Sequence, residues 1–148
     1  MRDALRLARK AYDSDEVPVG AVIVFNKEII GEGYNQTERL KDPTAHAELL
    51  AIREAATKTG WQRLIDAELY TTLEPCIMCA GAIWQARIKK VIFGCFDPKG
   101  GAYGSLYTIN EDKRLNHQVE TISGILAEEC AGLLRAFFRE KRERCQSG

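Results

Sequence analysis

Apolar positions along the chain keep two rhythms, one helical and one extended. Ala4, Leu5, Ala8 and Tyr12 recur at helical spacing and predict a helix over residues 2–13. EVPVGAVIVF is a nearly continuous β-branched run and reads as a buried strand. A short NKE turn brings IIGEGYN back on it as a hairpin. The loop KDPT leads into a helix, AHAELLAIREAATKTG, with Thr44 as the expected cap and Gly60 as the stop. AELYTTLE is a third strand, and Pro75 opens the helix CIMCAGAIWQA, where proline suits the first turn. KKVIFGCF and the short HQVETI are a fourth and a fifth strand. Between them lies a glycine-rich irregular loop, residues 97–116, and a loop of that length in a compact chain is usually functional. The last segment, ILAEECAGLLRAFFREKRER, is an amphipathic helix with Leu126, Cys130, Leu133, Leu134, Phe137 and Phe138 on its apolar side. This order predicts an α/β fold: one mixed sheet with helices on both faces. No repeat or linker interrupts it, so residues 1–148 read as a single domain.

Charge narrows the picture. The 21 basic and 21 acidic residues cancel, so no global field draws nucleic acid, and any RNA contact has to use a local patch. One such patch is RAFFREKRER, Arg135 to Arg144, with five basic and two acidic residues. A helix C-terminus favours basic residues in any case. No apolar run approaches the roughly 18–20 residues that span a bilayer. The charged start MRDALRLARKAY is unlike a signal peptide, and a soluble cytoplasmic protein with no membrane contact is expected.

The chemistry sits in a few residues. Five cysteines, an odd number, argue against a disulfide framework. Only Cys76 and Cys79 have ligand spacing; Cys95 and Cys130 are expected to pack, and Cys145 to lie exposed. His46, one of two histidines, stands two residues before Glu48 near a helix start. A Cys-x-x-Cys at the next helix start puts two sulfurs on one side, where the helix N-terminus favours thiolate. Imidazole with two thiolates suits zinc, and three protein ligands leave the fourth tetrahedral position for water, the arrangement of a catalytic site. Each motif alone has other readings. Cys76 and Cys79 could be a redox pair or two core residues. His117, Cys95, Cys130 or Cys145 could complete a closed structural site. The conjunction H-x-E…P-C-x-x-C decides for chemistry, because it is the established signature of zinc-dependent nucleobase deaminases and is recognised as such.

Around these residues the chain resembles the bacterial tRNA-specific adenosine deaminases. The blocks EVPVGAVIV, DPTAHAELLAIREA, LYTTLEPCIMCAGAI, RIKKVIFGCFDPKGGAYGSL, LNHQVE and GILAEECAGLLRAFFREKR carry the resemblance. The HAE and PCxxC motifs are common to all cytidine-deaminase-like folds, whereas the blocks after Arg87 are more particular to the tRNA enzymes. Phe96 stands at a position that varies in that family. The resemblance implies a three-layer α/β/α cytidine-deaminase-like fold with a five-stranded mixed sheet. It implies one zinc ion per chain on His46, Cys76 and Cys79, with Glu48 as the catalytic proton carrier. It also implies a homodimer, and hydrolytic conversion of adenosine to inosine at the wobble position of a tRNA anticodon. Asn35 would hold the nucleoside, and Asp97, Lys99, Phe138 and Arg139 would contact the anticodon stem-loop. A guanine or nucleoside deaminase acting on a small molecule shares the zinc motifs and is the alternative. A structural zinc module is the reading of a different class.

Overall fold

The computed structural model describes residues 1–148. Five helices run over Arg2–Asp13 (α1), Thr37–Leu40 (α2), Ala47–Thr59 (α3), Ile77–Gln85 (α4) and Ala127–Ser147 (α5). The strands are Gly20–Phe25 (β1), Glu28–Tyr34 (β2), Glu68–Leu73 (β3), Lys90–Cys95 (β4) and Glu120–Ile122 (β5). They form one sheet in the order β2-β1-β3-β4-β5. β1 pairs antiparallel with both β2 and β3, while β3–β4 and β4–β5 are parallel. The sheet is therefore mixed, as expected. α1 and α5 pack together on one face, and α3 and α4 lie on the other. No helix is long and apolar enough to cross a membrane.

The pleat explains how both faces are filled. Ala21 and Ile23 of β1 point with Leu69, Val91 and Phe93 into a core closed by Ala47, Ala51 and Ala55 of α3 and by Ala80 and Ile83 of α4. Val22 points the other way, and Leu5 and Ala8 of α1 are buried on that side. Layer spacing is short because small residues face each other. A methyl group at Gly33 would overlap the Ala47 carbonyl, one at Gly31 the Ala51 carbonyl, and one at Gly20 the Ala4 carbonyl. Cys130 is buried against Gly94 in the same way, which accounts for it as packing.

Several local expectations change. Thr44 does not cap α3. Its amide and hydroxyl donate to the Asp42 carboxylate at 2.9 and 2.7 Å, a turn closed by its own side chains, and His46 takes the N-cap position. Pro75 stands one residue before the N-cap of α4, which is Cys76. The fifth strand is only three residues long. His117 lies outside it, with Nε2 2.7 Å from the Ile88 carbonyl oxygen, an acceptor that requires this nitrogen to donate. α2 was not expected. It forms because the buried Glu16 carboxylate accepts the amides of Glu38 and Arg39 at 3.0 and 2.8 Å. The loop over residues 97–116 contains a single 3-10 turn, Ile109–Glu111, and an isolated pairing of Tyr103 with Thr108.

Close packing of α3 on β2 can be tested directly. Gly33→Ala forces the helix off the sheet and is expected to destabilise by about 1–3 kcal/mol in urea unfolding. Gly132→Ala, in α5, meets only the tip of Arg135 and is expected to stabilise by up to about 1 kcal/mol.

Candidate active site

Strand polarity decides where the helices begin. The C-terminal ends of β2, β3 and β4 lie at one edge of the sheet with the start of β1. The chain leaves β3 there into α4, and α3 begins over the end of β2. Such an edge is where open α/β sheets bind ligands. Asn35, just past β2, locks the junction, because its Oδ1 accepts the Ala47 amide at 2.8 Å. A side-chain cap of this kind contributes about 0.5–2 kcal/mol. Here it is supplied from another element, which leaves the side chain of the N-cap residue free.

That residue is His46, and its counterpart at the start of α4 is Cys76; neither side chain caps its own helix. His46 Nδ1 lies 3.6 Å from Cys76 Sγ and 3.5 Å from Cys79 Sγ, and the three ligand atoms all fall within 4.8 Å of one another. A tetrahedral centre with Zn–S about 2.3 Å and Zn–N about 2.05 Å separates nitrogen from sulfur by about 3.6 Å. The donor set and its spacing therefore fit one zinc ion. His117, Cys95, Cys130 and Cys145 are not in the cluster, so it offers three ligands, and the closed four-ligand site is not formed. The electrostatics agree. Hydrogen bonds from Cys79 and then from His46 hold the Cys76 thiol down to about 4. Cys79, the donor of that pair and buried, is pushed up. His46 is raised, chiefly by its bond to Cys76. A dication bound between the sulfurs favours their thiolate forms.

Glu48 is the second residue of α3 and only 4% exposed, and burial pushes its carboxyl up to about 7. It faces a pocket of about 240 Å³ together with Asn35, His46, Cys76 and Asp97. The remaining expected residues lie next door. Lys99, Phe138 and Arg139 line a groove of about 620 Å³ with Arg135 and Arg142, and Asp97 belongs to both cavities. Phe96 is exposed and lines an adjoining cavity that shares Lys99, Phe138 and Arg142 with the groove. The basic segment of α5 divides in two. Lys141 and Arg144 pair with Asp15 at 2.8 and 2.9 Å, and Arg135 pairs with Glu128. Arg139, Arg142 and Lys99 have no ion pair within the chain. Sequence reasoning missed one wall of the pocket, Glu74, which it took only as the end of a strand. The available signal was an acidic residue fixed between an apolar strand and Pro75.

Known proteins match this arrangement. The model of the cytidine and deoxycytidylate deaminase zinc-binding region matches residues 1–95. A tRNA-specific adenosine deaminase of Bacillus subtilis is 51% identical over 144 residues, 97% of this chain and 89% of that protein. One from Haemophilus influenzae is also 51% identical, over 97% of this chain and 83% of its own. A solved structure from work on A-to-I editing by tRNA:A34 deaminases at the wobble position superposes with a TM-score of 0.86. It has 45% identity and covers 88% of this chain and 95% of that one. A guanine deaminase from Nitrosomonas europaea superposes with a TM-score of 0.80 at 22% identity, over 92% of this chain and 81% of its own, and shares the fold. With the fold, the three-ligand cluster and these matches together, the chain belongs to the cytidine and deoxycytidylate deaminase zinc-binding family, within its tRNA-specific adenosine deaminases.

Proposed function

We propose that the protein is a zinc-dependent hydrolase that converts adenosine to inosine at the wobble position of a tRNA anticodon, releasing ammonia. The observation that carries this reading is the meeting of Glu48 with His46, Cys76 and Cys79 in one pocket, beside a groove with uncompensated basic residues. His46, Cys76 and Cys79 would hold the ion. When bound, zinc supplies a Lewis acid that brings the pKa of a water in its open position to about 7.

The chain's own residues supply the rest. Glu48 lies within the pocket, and its raised carboxyl exchanges protons near neutrality. It takes a proton from the water that adds to C6 and gives one to the ring nitrogen. It then takes the second proton from the hydroxyl now on C6 and delivers it to the departing amine, so that the C6–N6 bond breaks, the C6 carbonyl forms and ammonia leaves. Asn35 lines the pocket with its oxygen engaged by the Ala47 amide, so its NH2 group is the part left to bind substrate. That group donates to an acceptor of the base or ribose. The anticodon loop is single-stranded, which lowers the cost of extruding one base. The groove with Lys99, Phe138, Arg139 and Arg142 would take the flanking phosphates and bases. This groove favours an RNA over a small-molecule substrate, which needs only the pocket.

Zinc analysis with single-turnover deamination of an anticodon stem-loop tests the assignments. Cys76→Ser is expected to lose most of about one zinc per chain. Glu48→Ala is expected to keep the zinc while slowing deamination by at least about 10²–10⁴-fold. The phosphate groove is tested by salt dependence. Replacing Arg139 and Arg142 with Ala is expected to flatten the slope of log affinity against log salt by roughly 0.7–0.9 per lost contact. Lys141→Ala, whose partner is Asp15, is expected to leave the slope unchanged. The protein is further proposed to be a homodimer. A second copy would cover Ile77 of α4 and Leu106 and Tyr107 of the following loop, each at least half exposed. Sedimentation at low micromolar concentration is expected to show a dimer that Ile77→Glu dissociates.

A further inference from the structure

Glu74 is 2% exposed and is not one of the three grouped metal-binding side chains, yet it lines the pocket. Its carboxylate gathers the loop that follows β4. Oε1 accepts the Asp97 amide at 2.9 Å and the Ser105 hydroxyl. Oε2 accepts the Tyr103 amide at 2.9 Å and the Ser105 amide at 3.0 Å. Three backbone amides that point inward with no sheet partner thus end on one side chain; left unpaired, each would be a costly buried donor. Gly101 shows that the loop is built around this carboxylate, since a methyl group there would overlap it.

The neighbours of Glu74 carry the clamp to the reaction centre. The Pro75 carbonyl accepts the Ala102 amide at 2.8 Å, Cys76 pairs with Gly101, and Cys76 is a metal ligand. Asp97, at the other end of the clamped loop, belongs both to the pocket and to the groove of Lys99 and Arg139. Its own geometry is closed as well: its Oδ1 accepts the Lys99 amide at 3.1 Å and its carbonyl accepts the Gly101 amide at 2.9 Å. Glu74, Pro75 and Cys76 are consecutive, so the residue that holds the loop is joined to the metal ligand through a single proline.

We infer that Glu74 is a positioning residue. Its carboxylate fixes the distance between the nucleobase pocket and the phosphate groove, so that an RNA held in the groove presents its base in register with Glu48 and the metal. The inference rests on the tRNA reading above. Its energetic weight falls on the transition state, because α5 still offers Arg139 and Arg142 to the RNA when the loop loosens. Misplacement of about 1 Å can cost about 10²-fold in rate.

Two substitutions separate the arms of the clamp. In Glu74→Gln the oxygen that remains satisfies Tyr103 and Ser105 best, and the NH2 group then faces the Asp97 amide, donor against donor. Glu74→Ala removes both arms. Amide hydrogen exchange on the zinc-loaded proteins without RNA is expected to speed up at Asp97 alone in Glu74→Gln. In Glu74→Ala it is expected to speed up at Asp97, Tyr103 and Ser105. With an anticodon stem-loop, Glu74→Gln is expected to lower kcat by at least about tenfold while KM stays within about threefold and zinc content is unchanged. A wild-type kcat in Glu74→Gln, a raised KM with kcat intact, or a loss of zinc matching the loss of kcat would each overturn the positioning role. Failure of the unsubstituted enzyme to deaminate the RNA would instead sink the tRNA reading, and the exchange pattern would still report whether the clamp exists.

Discussion

The active site rests on how closely α3 lies against β2. Gly31 and Gly33 admit the helix backbone to the sheet surface, and Ala47, Ala51 and Ala55 answer with side chains no larger than a methyl. Asn35 can then reach the first amide of α3, and His46 is left at the N-cap with its ring turned toward α4. The other side of the cluster is made the same way, with Cys76 at the N-cap of α4 and Cys79 in its first turn. Two helix N-termini thus face one point. Their dipoles favour negative charge on the sulfurs before any ion arrives. A ligand set on helix ends keeps its geometry as long as the helices keep their packing, which makes small-residue contacts some distance away part of the metal site.

The chain buries three glutamates, Glu16, Glu48 and Glu74, and their surroundings give them different work. Glu16 sits against backbone amides of α2 and Glu74 against those of a loop, and their oxygens are taken up by those donors. They hold α2 and the loop after β4 against the pocket. Glu48 is governed by desolvation, which raises its carboxyl to about 7 and leaves it poised to exchange a proton. One residue type thus clamps backbone in two places and, in a third, is held by burial with its carboxyl raised. Similarly, the cations of α5 divide between ion pairs within the chain and the groove. Lys141 and Arg144 tie the helix to the end of α1 through Asp15, whose carboxyl they lower, whereas Arg139 and Arg142 remain for the groove.

Much of this was legible in the chain. A β-branched run such as VGAVIVF can be read as a buried strand because pleat and hydrophobicity are local properties. Likewise, His46-x-Glu48 and Cys76-x-x-Cys79 carry their spacing with them, since one turn of helix sets it. Gly60 as the stop of α3 follows from its left-handed conformation, φ 75°, which glycine adopts without strain. What the sequence determined by itself was therefore the element order, the mixed α/β class and the two halves of the metal motif. The tertiary structure alone decided the rest, because partners distant in the chain supply it. Thr44 lost the cap of α3 to Asn35, twelve residues before the amide it accepts, and α2 exists through Glu16, more than twenty residues before it. The five-cation segment of α5 split according to where Asp15 lies. Glu74 became a wall of the pocket and the clamp of a loop up to 31 residues downstream. Hydrogen-bond acceptors do not announce their donors in sequence; only the folded chain brings the two within 3 Å.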